Sequence, residues 1–110
     1  MTVREVTERI SARVFAGSGL LGGEVEGCYI GDLLSLAMSR VQHKNIWITI
    51  QTNMNIAAVA ALADAGCIII ADGFEPDAET VKKAEAQNIV ILGSELSAYE
   101  LAIRLSECGI

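Results

Sequence analysis

The side chains of this sequence best suited to chemistry gather just after a run of large apolar residues. In Ile46 to Ile56, IWITIQTNMNI, that run gives way to Gln51, Thr52, Asn53 and Asn55. Carboxamides and a hydroxyl donate and accept hydrogen bonds but do not cleave covalent bonds unaided, so such a cluster points to recognition. Two further polar segments follow buried-looking runs in the same way: Asp72-Gly73 after CIIIA, and Gly93 to Ser97 after IVIL. If the three runs are parallel strands, their polar ends converge at one edge of a sheet, beside the amino ends of three helices. That is where open α/β sheets bind ligands. A ligand site built from Gln51, Thr52, Asn53, Asn55, Asp72 and Gly73 is therefore expected. The same residue types also suit helix starts and tight turns, which is the competing reading.

Other candidates carry less. Gly17 and Gly22 in GSGLLGGE have the GxxxxG spacing of a phosphate-binding loop, but Gly23 and Glu24 stand where Lys and Ser or Thr belong. In such a loop the Lys neutralises the terminal phosphates and the hydroxyl holds magnesium, whereas the carboxylate of Glu24 repels phosphate. His43 is the only histidine, and no pattern around it suggests a triad or a metal site. Asp72, Glu75 and Asp77 read as complements to a helix dipole more readily than as an acid and base pair. No metal, cofactor or catalytic residue is expected. Cys28, Cys67 and Cys108 are odd in number and widely spaced, as suits buried thiols in a reducing cytoplasm.

The net charge of -6 argues against nucleic acid and anionic membrane as partners. No apolar run is long enough to span a bilayer, and Met1 to Ile10 is too charged for a secretory signal. Hydrophobic residues make up 52% of the chain and aromatics only 5%, which predicts a tightly packed aliphatic core. At 110 residues one domain, spanning 1–110, is expected.

The elements that must position the polar segments follow from local signals. Thr2-Val3-Arg4-Glu5 and Ser97-Ala98-Tyr99-Glu100 have capping-box spacing. The first helix then runs to about Ser11 with Val3, Val6 and Ile10 inward, and the second opens on Ala98, Leu101, Ala102 and Leu105. Arg13 to Ala16 reads as an edge strand, and the glycine-rich stretch 17–23 as a flexible loop. Val25 to Ile30 reads as a strand, with Asp32 capping a helix on Leu34, Ala37, Met38 and Val41. Trp47 belongs to the core of the central strand, or anchors a subunit contact. The helix Ile56 to Ala65 is apolar nearly all round, so it is either sandwiched within the domain or pressed on a second subunit. Gly66 closes it as a left-handed residue. Glu75-Pro76-Asp77 starts a helix facing inward through Ala78, Val81 and Ala84. The alternation predicts a three-layer α/β/α fold with a mostly parallel central sheet of four to five strands.

With these units in place, the chain resembles the DRTGG domain family, a module similar to the amino-terminal domain of HPr kinase/phosphorylase and found inserted in some phosphotransacetylases and pyrophosphatases. The resemblance runs through TVREVTERI, VEGCYIGDLL, IWITIQTNMNIAAVAAL, AGCIIIADGFEPD and NIVILGSELSAYELA. The family signature places Asp-Arg after the central strand and Thr-Gly-Gly after the next. Here Gln51 to Asn53 and Ala71-Asp72-Gly73 occupy those positions, and no arginine is present to grip a phosphate bidentately. The kinase chemistry of HPr kinase lies in a separate carboxy-terminal domain, and this chain ends at Ile110 without its phosphate-binding loop. The resemblance implies a non-catalytic regulatory module, commonly paired with itself as a homodimer and docking on a metabolic or signalling protein. The alternative is a sensor of a nucleotide or phosphorylated metabolite.

Overall fold

The computed structural model describes all residues, 1–110. Helices α1 (Val3–Arg9), α2 (Leu34–Arg40), α3 (Asn55–Ala63), α4 (Ala78–Gln87) and α5 (Ala98–Glu107) alternate with strands β1 (Arg13–Ala16), β2 (Cys28–Ile30), β3 (Ile46–Thr49), β4 (Cys67–Ile70) and β5 (Ile91–Gly93). The five-stranded sheet has the order β1-β5-β4-β3-β2. All neighbours are parallel except β1, which pairs antiparallel with β5. No helix is long and apolar enough to cross a membrane.

Strand alternation divides the core into two layers. Ile46, Ile48, Cys67, Ile69, Val90 and Leu92 meet Val3, Val6 and Ile10 of the α1 segment and Leu101 and Leu105 of α5. Trp47, Ile68, Ile70 and Ile91 meet Ala37 and Val41 of the α2 segment, Ile56, Ala57, Val59 and Ala60 of α3, and Ala84 of α4. The expected three-layer α/β/α fold is thus present, and β3 and β4 read as unbroken apolar runs because helices cover both of their faces. Trp47 is core and donates its indole N–H to the Gly31 carbonyl at 2.9 Å. Both capping boxes form.

Helix α3 packs between α2 and α4, so its own chain covers its inner face, while Leu62 on the outside is 74% exposed. Several local expectations are corrected. The residue closing α3 in the left-handed region is Asp64, with φ 57°, and Gly66 serves a close approach instead. A Cβ on Gly66 would lie 2.6 Å from Val25 Cγ1 and 2.8 Å from the Lys44 carbonyl oxygen. The strand expected from Val25 begins only at Cys28, because the Val25 N–H turns to the Met1 carbonyl. Met38 and Ala78 are exposed, and the inner face of α4 uses Thr80 in place of Ala78. The glycine-rich stretch is pinned, because the carbonyls of Leu21 and Gly23 accept from Arg4 and Val3, the first amides of α1. Those helix-end donors would otherwise lack partners, so the loop caps a helix and does not cradle an anion.

Candidate functional site

The carboxyl ends of β2, β3, β4 and β5 share one rim of the sheet, as the parallel register requires. Asp32, which follows β2, does not cap α2; no side chain caps that helix. Its Oδ1 accepts from Thr49 Oγ1 and from the Ile50 N–H, both at 2.9 Å. Two donors at the end of β3, one of them on the buried Thr49, outcompete a solvated helix start.

Gln51 donates its side-chain amide to the Asp32 carbonyl at 2.9 Å and accepts from Asn53 at 3.2 Å. Asn53 Oδ1 in turn accepts the Asn55 N–H at the start of α3. The Thr80 hydroxyl lies 2.7 Å from both the Thr52 carbonyl and Asp77 Oδ1, so its one proton is shared between these two acceptors, and Asp77 Oδ1 also accepts the Thr80 N–H. These hydrogen bonds hold the Asp77 carboxyl below the usual carboxylate range, as the Thr2 contacts do for Glu5. The segment Gln51 to Asn55 therefore braces the β2–α2 connection on one side and α4 on the other. Thr80→Val should leave the Thr52 carbonyl without a donor and destabilise the fold by about 1–3 kcal/mol. Chemical denaturation would register this as a lower midpoint at constant slope, and an unchanged midpoint would mean that the brace contributes nothing.

Asp72 and Gly73 lie elsewhere on the rim. Both are left-handed, with φ 60° and 74°, and their amides donate to the carbonyls of Leu96 and Ser94. Gly73, but not Asp72, borders a cavity of about 50 Å³ formed with Arg13, Phe15, Glu75 and Glu95. That holds a few waters, far less than the roughly 300 Å³ at which small-molecule pockets begin. Arg13 bonds Glu75 at 3.2 Å and lies 4.7 Å above the Phe15 ring. Its presence here was not apparent from the sequence, because it depends on β1 running antiparallel, which sets Arg13 opposite Gly93. The candidate residues thus fall into two groups, Gln51 to Asn55 against Asp32, and Asp72-Gly73 against Ser94 to Leu96.

The rim carries Asp32, Asp72, Glu75, Asp77 and Glu95, with Arg13 beside Glu75 and with Lys82 and Lys83 of α4 flanking Met54, so carboxylates predominate at the strand ends themselves and disfavour phosphate there. A larger hollow of about 390 Å³ opens at the opposite end of the sheet, bordered by Glu24 to Gly27, Lys44 and Cys108 to Ile110. His43 pairs with Asp64 on the surface. No three His, Cys, Asp or Glu side chains converge as metal ligands. Of the three thiols expected to be buried, only Cys67 is; Cys28 is exposed on the sheet edge and Cys108 half-buried. Burial pushes the Cys67 thiol up to about 12, and partial desolvation against the sheet pushes the Cys28 thiol up to about 11.

Comparison with known proteins agrees with this architecture. One solved structure contains the CBS and DRTGG domains of the regulatory region of Clostridium perfringens pyrophosphatase, complexed with its activator diadenosine tetraphosphate. It superposes with a TM-score of 0.72 at 13% identity, over 94% of this chain and 45% of that one. The present chain thus spans less than half of that neighbour, and the likeness is one of fold. No curated protein matches the sequence. The model of the DRTGG domain matches residues 5–108, and with nearly the whole chain inside that match, this protein belongs to the DRTGG domain family.

Proposed function

We propose that residues 1–110 act as a single DRTGG-type regulatory module in the cytoplasm, without catalysis of its own, working as a homodimer and docking on a metabolic or signalling protein. The observation that carries this reading is the engagement of the rim. At the strand ends, where a ligand site is expected, Gln51, Asn53, Asp32 and Thr80 spend their hydrogen bonds on one another and on neighbouring loops. A brace of that kind holds a shape for a partner to read. Kinship to a domain found in the regulatory region of a pyrophosphatase supports the same role.

A second reading has its own support, since that neighbouring region holds a dinucleotide activator and Asn53, Asn55 and Asp72 remain exposed here. On this reading the module senses a small ligand through Gln51, Thr52, Asn53, Asn55, Asp72 and Gly73. A thermal-shift screen of ATP, diadenosine tetraphosphate and phosphorylated sugars separates the two. The regulatory-module reading expects a flat response. A ligand at 100 times its dissociation constant adds about 2.7 kcal/mol, a shift of roughly 10 °C or more for a domain of this size. A rise of that order, abolished in Gln51→Ala/Asn53→Ala, would replace the first reading by the second.

A further inference from the structure

The rim braced by the polar segments also carries large apolar side chains that no element covers. Leu33 follows β2, Ile50 follows β3 and Phe74 follows β4, and they are 66%, 42% and 51% exposed. These strands are neighbours in the sheet, and hydrogen bonds link the three positions in a row. The Ile50 N–H donates to Asp32, the residue before Leu33. The carbonyl of Thr49, the residue before Ile50, accepts from Ala71, and the Phe74 N–H turns back to the Ala71 carbonyl. Exposed apolar residues scattered singly are ordinary, but a group of them rimmed by polar residues marks a surface that something covers.

Carboxylates stand among these side chains. Asp32 precedes Leu33, Asp72 lies two positions before Phe74, and the Glu95 carboxylate rests against Gly73. All three residues are exposed, and none has a cation within salt-bridge distance, whereas Glu75 holds Arg13. Lys82 and Lys83 lie beyond the row, beside Met54 on the α4 flank.

We propose that a basic amphipathic segment of another protein docks across this rim, its apolar side chains on Leu33, Ile50 and Phe74 and its Lys or Arg side chains against Asp32, Asp72 and Glu95. The proposal deepens the docking part of the function proposed above and rests on it. Charge selects the occupant. A phosphate, a nucleic acid or an anionic membrane would bring negative charge to carboxylates that already lack a cation, and a second copy, itself of net charge -6, would set those carboxylates against their own kind. A cationic segment with an apolar face gains from both features. Phe74 supplies the aromatic surface that anchors interfaces, and the carboxylates orient the segment and speed its arrival. Because these charges are exposed, the attraction weakens with added salt.

A synthetic peptide of Leu and Lys, patterned as an amphipathic helix of about 14 residues or four turns, serves as the probe. Titrated into the wild-type protein, it should shift the amide resonances of Leu33, Ile50 and Phe74 and leave those of Gly27 and Cys108, at the opposite end of the sheet, in place. The same peptide with Glu for Lys, or with Ser for Leu, should bind about 10-fold more weakly or worse. Asp72→Asn/Glu95→Gln and Phe74→Ser should each cost the Leu and Lys peptide about 10-fold. Glu26→Gln/Glu107→Gln, which removes the same charge away from the rim, and Leu62→Ser should stay within about 2-fold of wild type. Equal losses in the two charge variants, or a footprint elsewhere, would reduce the binding to net charge and overturn the surface. Absence of peptide binding overturns the surface alone and leaves the regulatory-module reading in place. If ATP or diadenosine tetraphosphate shifts the rim resonances instead, that reading falls and the surface with it. Where a variant does not fold, the footprint on the wild-type protein decides.

Discussion

Trp47→Ala is expected to lower stability by about 3–5 kcal/mol, the usual cost of truncating a buried Trp. Trp47 is wholly buried in the middle of β3, in the layer formed by Ala37, Ile56, Ala57 and Ile68. Truncation opens a void between the sheet and the α2/α3 layer that backbone paired on both sides cannot close. It also leaves the Gly31 carbonyl without its indole donor. Since a domain of this size holds about 5–15 kcal/mol, the variant should be close to unfolding at 37 °C. Trp47→Phe keeps most of the volume and loses the hydrogen bond, so it should cost about 1–2 kcal/mol. The chain has a single Trp, which makes far-ultraviolet dichroism the proper probe of the urea transition. A loss below 1 kcal/mol in Trp47→Ala would mean that this layer repacks freely.

The parts of this fold that could be read from sequence are those decided within a few residues. Ile46–Thr49 and Cys67–Ile70 announce themselves because strands covered on both faces need no polar alternation. The capping boxes at Thr2 and Ser97 depend on partners three residues away. What stayed hidden depends on distant partners. Asp32 looks like a cap from its neighbours alone, yet Thr49 and Ile50, seventeen and eighteen positions on, claim its carboxylate. Arg13 reaches the rim only through the direction of β1, which its own short sequence does not encode. The amide cluster after β3 was visible as an excess of polar groups. That the excess binds the protein's own loops became apparent only once the positions of Asp32 and Thr80 were known.

Gly66 shows the same limit and yields the second large effect. A glycine after an apolar helix suggests a left-handed closing residue, but Asp64 already takes that conformation, and Gly66 instead presses against β2's approach segment and the 42–45 loop. In Gly66→Ala the new methyl would sit 2.6 Å from Val25 Cγ1 and 2.8 Å from the Lys44 carbonyl oxygen. Val25 is core, 4% exposed, and packs with the α1/α5 layer. The Lys44 backbone is held on both sides, its carbonyl accepting from Glu26 at 3.0 Å and its N–H donating to Asp64 at 2.8 Å. Overpacking against such a site costs about 1–3 kcal/mol, and displacement of the paired backbone places this case at the upper end. Asp64→Gly is the control. It relieves a non-glycine residue at φ 57° and gives up only a surface pair with His43, so stability should stay level or rise by up to about 1 kcal/mol. Thermal melts of the two variants should therefore move in opposite directions. If Gly66→Ala melted with the wild type while Asp64→Gly lost stability, the glycine would be serving as the helix terminator after all, and the close contact with Lys44 would be one that the loop absorbs.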